Sequence, residues 1–127
     1  MTQKSAVILL AHGSRDPHWL APFTQLLSQI KEQSTSRVEL AYLELAEPNL
    51  EQKIEQLAQE GFLRLEIIPL FFAAGQHLRK DVPLQVKQIE QQLEQQGIAI
   101  KIELHGPIGL EPEVAIAISQ TIQRKIN

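Results

Sequence analysis

Two histidines and one glutamate stand where a repeating strand–helix chain can bring them together. His12 follows the apolar run Ala6 to Ala11, Glu44 lies at the end of the run Val38 to Leu43, and His77 follows the run that ends near Leu70. Two imidazoles and a carboxylate form a nitrogen–oxygen donor set suited to a divalent first-row metal. The same groups can act as general bases near neutral pH, where imidazole titrates. Each also has a plainer explanation. His12 before Gly13 can hydrogen-bond within a tight turn, Glu44 can be a solvated strand end, and His77 can brace a turn. Their convergence is what points to a site. His18 and His105 read as surface or turn histidines, although His105 also follows a strand-like run and is in reach of a peripheral contact.

The elements that must position these groups alternate regularly. A buried strand over Ala6 to Ala11 leads to a helix that opens at Asp16-Pro17 or at Ala21-Pro22, with Trp19, Leu20, Phe23, Leu26, Leu27 and Ile30 as its apolar stripe. A second strand over Val38 to Leu43 is followed by a helix capped at Asn49, with Gln52 at the capping-box position and Gly61 beyond its end. A third strand is expected from about Leu63 to Leu70, and a third helix from Val82 to Gln96, opened by Asp81 and Pro83. Ile98 to Leu104 reads as the fourth strand. A last helix from Pro112 should turn Val114, Ala117, Ile118, Ile122 and Ile126 inward. The pattern predicts an α/β fold in one domain, residues 1–127, with a small parallel four-stranded sheet and helices on both faces. In such sheets ligands bind at the carboxyl edge, which is where His12, Glu44 and His77 fall.

Composition narrows the functions open to the chain. A formal charge of −3 argues against a general nucleic-acid binder. The absence of cysteine removes thiolate metal sites, iron–sulfur clusters, disulfides and cysteine nucleophiles. No apolar stretch is long enough for a membrane span, so a cytoplasmic protein is expected. Ser14, Arg15, Gln76, Arg79 and Lys80 add donors around the same sheet edge. Beside a metal site such cations favour an anionic ligand, arginine especially a carboxylate.

Four segments together resemble the sirohydrochlorin chelatases, ATP-independent class II enzymes of tetrapyrrole metallation. They are Ala11-His12-Gly13-Ser14-Arg15, Tyr42 to Pro48, Pro69 to His77 with Asp81-Val82-Pro83, and Gly106-Pro107-Ile108-Gly109. The chain is similar to the short form, one half of the two-lobed chelatases. The resemblance implies a chelatase-like fold and a homodimer with the cavity between subunits. It implies that His12 and His77 bind the incoming metal and accept pyrrole protons, with Glu44 assisting. The substrate would be sirohydrochlorin, an anionic tetrapyrrole, with Fe²⁺ for sirohaem or Co²⁺ for cobalamin entering as the second substrate and no permanently bound cofactor. Ni²⁺ for coenzyme F430 is the further alternative. The macrocycle would be held by Gly13, Ser14, Arg15, Leu43, Gly75, Gln76, Arg79 and Lys80, with Phe71, Phe72 and Leu45 as further apolar wall. Rival readings are a histidine phosphatase-like phosphoryl transferase, a non-catalytic metal carrier and a flavodoxin-like interaction module. The first wants an arginine beside the nucleophilic histidine, whereas Ala11 precedes His12.

Overall fold

The computed structural model describes residues 4–73 and 75–127, apart from the side chain of His77. In chain order the elements are β1 (Lys4–Ala11), α1 (Pro17–Gln33), β2 (Arg37–Tyr42), α2 (Leu50–Gln59), β3 (Phe62–Pro69), α3 (Gln76–Gln95), β4 (Lys101–Leu104), a 3₁₀ turn (Ile108–Leu110) and α4 (Pro112–Ile126). The four strands form one sheet in the order β2-β1-β3-β4, and every pairing is parallel. β1 is central to the site. It pairs Leu10 with Ala41 on one side and with Pro69 on the other, so three strands end at the same level.

Alternation along β1 sorts the sheet into two faces. Ala6, Ile8 and Leu10 join Leu65 and Ile67 of β3 in a dry layer beneath α2 and α3. Leu9 and Ala11 join Val38, Leu40 and Tyr42 on the opposite face, under Leu20, Phe23, Leu27 and Ile30 of α1. α2 is held at its start by a complete capping box. Asn49 accepts from the Gln52 amide at 2.8 Å, and the Gln52 side chain accepts from the Asn49 amide at 2.8 Å.

The structure settles one open choice and corrects four expectations. α1 opens at Pro17, because the Asp16 carboxylate accepts from the His18 amide at 2.9 Å; Pro22 lies inside the helix. Trp19 and Leu26, expected in its stripe, are exposed. α3 begins at Gln76 rather than Val82, which puts Asp81 and Pro83 inside it and His77 in its first turn. An interior proline costs about 3 kcal/mol, but Leu78 and Val82 are buried in line with Val86, Ile89 and Leu93. Burying two large aliphatic side chains contributes on the order of 3–5 kcal/mol, which outweighs that cost. β4 is shorter than expected, starting at Lys101.

The fourth correction concerns α4. Its expected inner face is not buried: no residue of the helix is, and Ile122 and Ile126 are 51% and 73% exposed. The helix is supported locally instead. Pro112 and Glu113 open its first turn, and Arg124 and Lys125 lie in its last, signs that suit the helix dipole. Among the described elements it packs chiefly against the 3₁₀ turn that precedes it.

Candidate metal and tetrapyrrole site at the carboxyl edge

The β1–β2 ladder does not stop where the strands do. The Leu43 amide donates to the Ala11 carbonyl at 2.8 Å and the Glu44 amide to the His12 carbonyl at 3.1 Å. These bonds carry His12 and Glu44 past the sheet edge side by side. Gly13 then turns the chain with φ +99°, a region that L side chains rarely adopt. A Cβ at Gly13 would lie 1.8 Å from the Glu44 carbonyl oxygen, so only glycine allows the two loops to touch. The outcome is a pair in which His12 Nε2 stands 3.3 Å from Glu44 Oε1, both side chains about half exposed.

That separation fits joint ligation. Two donors, each about 2.1 Å from one ion and at tetrahedral or octahedral angles, stand about 3.0–3.4 Å apart. The distance is compatible with shared ligation, and both side chains are open to solvent. Phe71 backs the imidazole edge-on, with ring centroids 6.0 Å apart. It comes from the loop after β3, which is tied down where Leu70 donates to the Leu10 carbonyl at 2.8 Å. A second glycine fixes the same loop from below. Gly109 donates to the Phe71 carbonyl at 2.9 Å, and a Cβ there would lie 2.2 Å from the Phe72 carbonyl oxygen.

The remaining residues named from sequence divide in two. Leu43 is half-buried and packs on the core. Ser14 is spent locally, its hydroxyl accepting from the Asp16 amide at 3.0 Å. Arg15, Gln76, Arg79 and Lys80 are exposed, and among the described residues no ion pair engages the three cations. Leu45 and Phe72 offer apolar surface at 53% and 72% exposure, and Leu45 is turned outward by a left-handed backbone, φ 64°. His77 is the second residue of α3, and its side chain lies outside the described residues.

Two features were not read from the sequence. Gly75 caps α3 with no side-chain hydrogen bond, so a 20-residue helix begins shortly after the end of β3, with Arg79 and Lys80 in its first turns. Such an end attracts anions through its unpaired N–H groups and its dipole. The early start of α3 was the missing signal. Second, Glu66, Glu103 and His105 bring ligand atoms within 4.8 Å of one another, with His105 Nε2 3.1 Å from Glu66 Oε1. β3 and β4 pair Glu66 with Glu103, a register that sequence spacing does not carry.

Known proteins resemble the chain over nearly all of its length. The CbiX family model matches residues 6–125. A sirohydrochlorin cobaltochelatase of Saccharolobus solfataricus is 28% identical over 126 residues, 95% of each chain. One from Sulfurisphaera tokodaii is 26% identical over 117 residues, 92% of this chain and 90% of that one. Among solved structures, a putative cobalamin (vitamin B12) biosynthesis CbiX protein from Marinobacter aquaeolei VT8 superposes with a TM-score of 0.84 and 35% identity, covering 96% of this chain and 97% of that one. The sirohydrochlorin chelatase SirB from Bacillus subtilis subspecies spizizenii, in complex with cobalt, shares the fold at a TM-score of 0.80 and 24% identity; the match covers 95% of this chain and 50% of that one. No described helix is long and apolar enough to cross a membrane.

Proposed function

This chain belongs to the CbiX family, and on that premise we propose that it inserts a divalent metal into sirohydrochlorin without ATP, Co²⁺ being the first candidate and Fe²⁺ the second. The names of the similar proteins move cobalt ahead of iron, the metal placed first from sequence. The observation that carries the reading is the His12–Glu44 pair, 3.3 Å apart at the open carboxyl edge.

The reaction replaces two pyrrole N–H protons by one M²⁺ and strips the ion of its water. A side chain that helps must hold the ion while water leaves, or accept a proton as the ring nitrogens bind. His12 and Glu44 can do both in turn, since ligand and base use the same lone pairs. His77 is proposed as the second imidazole. Both substrates stay mobile, so the metal is cargo rather than a resident cofactor. The carboxylates of the macrocycle would meet Arg15, Arg79, Lys80 and the free amides at the start of α3, with Gly13, Ser14, Gly75 and Gln76 supplying close backbone and polar contacts. Leu43, Leu45, Phe71 and Phe72 would face its flat surface. A broad ligand on an open edge needs a second wall, which a second copy of the chain would provide; we therefore propose a homodimer with the cavity between subunits.

The test is direct. Purified protein is mixed with sirohydrochlorin and Co²⁺ or Fe²⁺, and the macrocycle spectrum is followed against the spontaneous rate. Insertion should be accelerated, and His12→Ala, His77→Ala and Glu44→Gln should each lose at least about 100-fold, the scale of a lost general base or ligand. Folded variants of both histidines that keep the wild-type rate would overturn the mechanism. Tight metal binding with no accelerated insertion would make the chain a carrier instead.

A further inference from the structure

Away from the carboxyl-edge site, β3 and β4 gather a second set of metal-ligating groups of mixed type. Carboxylate oxygens of Glu66 and Glu103 and a ring nitrogen of His105 lie within 4.8 Å of one another. The sheet itself sets this up. β3 pairs Glu66 with Glu103, and the His105 amide donates to the Ile67 carbonyl at 2.9 Å, which carries the ladder one residue past β4. Positions 103 and 105 therefore share a face of the sheet. Leu65 and Ile67 are buried on the core side, where Ile102 and Leu104 also pack, so the three ligand groups stand on the opposite face. Glu66 also pairs with Val7, which lies on β1 about 16 Å of strand short of His12. One ion cannot serve both places.

Two carboxylates fixed side by side on neighbouring strands repel each other. Cations able to neutralise them are near: Arg64 and Lys101 pair with each other two residues earlier on the same face. Among the described residues, however, neither forms an ion pair with Glu66 or Glu103. The four side chains and Ser5 instead line an open cavity of about 220 Å³. The partner that Glu66 does have is the imidazole, with His105 Nε2 3.1 Å from Glu66 Oε1, the separation of two donors on a shared ion. Both side chains are partly exposed, so a dissolved ion can reach them.

We propose that Glu66, Glu103 and His105 form a second divalent-cation site, which clasps β4 to β3. One imidazole and two carboxylates suit a first-row ion such as Zn²⁺ or Co²⁺, with water completing the shell. Nε2 must present its lone pair to the ion, so the ring proton sits on Nδ1 in the bound form. The clasp acts where the sheet is weakest. β4 is an edge strand of four residues, and the turn beyond it carries Gly109, which donates to the Phe71 carbonyl. Holding Glu103 and His105 to β3 steadies the strand that leads into that turn. The site uses none of the groups assigned to metal insertion, so the two readings stand or fall separately.

Co²⁺ alone is the probe, because its unpaired electrons shift and broaden the NMR signals of any imidazole it binds. The titration is run on the full chain carrying His12→Ala and His77→Ala, which leaves His18 and His105 as its imidazoles. The His105 ring signals should respond at lower Co²⁺ than those of His18, which is almost fully exposed. In the same background, Glu66→Gln and Glu103→Gln should each raise the Co²⁺ needed at His105 by at least about 10-fold. Both positions are exposed, and the rest of the spectrum reports that the variants are folded. Zn²⁺ should raise Tm in this background and lose that effect with His105→Gln. Equal responses of His105 and His18, a His105 response unchanged in both glutamine variants, or none up to about 1 mM Co²⁺, the weak end of protein cation sites, would overturn the site. A Tm that Zn²⁺ leaves unchanged would overturn the clasp.

Discussion

Gly13→Ala is the sharpest probe of how the fold positions its chemistry. The added methyl would lie 1.8 Å from the Glu44 carbonyl oxygen, where contacts below 3.0 Å are essentially never seen. The loops must therefore part by more than about 1 Å, and the glycine's φ of +99° must be kept by a residue that resists it. A left-handed backbone costs alanine roughly 1–2 kcal/mol. Parting the loops also breaks the 3.1 Å bond from the Glu44 amide to the His12 carbonyl, worth about 1 kcal/mol. The sum is about 2–3 kcal/mol, which for a domain of this size lowers Tm by about 6–12 °C. The same displacement acts on the site. An error of about 1 Å between His12 and Glu44 should slow metal insertion by about 100-fold. Calorimetry and the absorbance assay are run side by side, with Gly106→Ala as control. No heavy atom lies within 4 Å of a Cβ at Gly106, and its backbone is outside the left-handed region. A Gly13→Ala protein with unchanged Tm and insertion within about twofold of wild type would show that the two loops are not locked together as described.

Other expectations follow from the same geometry. Asn49→Ala removes one arm of the capping box of α2 and should cost about 1 kcal/mol, read as a shift in denaturation midpoint at constant m value. Gly109→Ala drives a methyl onto the Phe72 carbonyl and should both destabilise the fold by about 1–3 kcal/mol and slow insertion, because the loop it displaces carries Phe71 against His12. Glu39 provides a pH test: burial raises its pKa, but hydrogen bonds from Arg37 and Lys53 lower it more, for a net value below the ordinary 4.5. A depressed carboxyl stabilises the fold above its unfolded pKa and loses that stabilisation as pH falls through the folded one. The stability gap between wild type and Glu39→Gln should thus narrow from about pH 5 to about pH 3; a gap that stays constant across that window would refute the assignment.

The two halves of the site differ in how well they can be read along the chain. His12 and Glu44 were legible because each closes an apolar run, and parallel strands with buried faces have to end at one edge. Gly13 was legible only as a neighbour; that it admits the Glu44 carbonyl depends on β1 and β2 being in register, which pairs Ala11 with Tyr42. The start of α3 was misplaced because Asp81-Val82-Pro83 has the local chemistry of a helix opening. Leu78 and Val82 reach the core only if the helix is already running at Gln76. With that start comes a helix N-terminus close to Arg79 and Lys80, which no local signal announces.

Residue order thus carried the alternation of strands and helices, the cap at Asn49, and the placing of His12 and Glu44 at the carboxyl edge, since each of these is marked by neighbours a few positions apart. Tertiary structure decided the 3.3 Å pairing of His12 with Glu44, the early start of α3, and the departure of α4 from its own sheet. Those outcomes turn on free energy shared between segments distant in the chain. An apolar stripe records that a helix will be buried, and only the assembled surfaces settle against what.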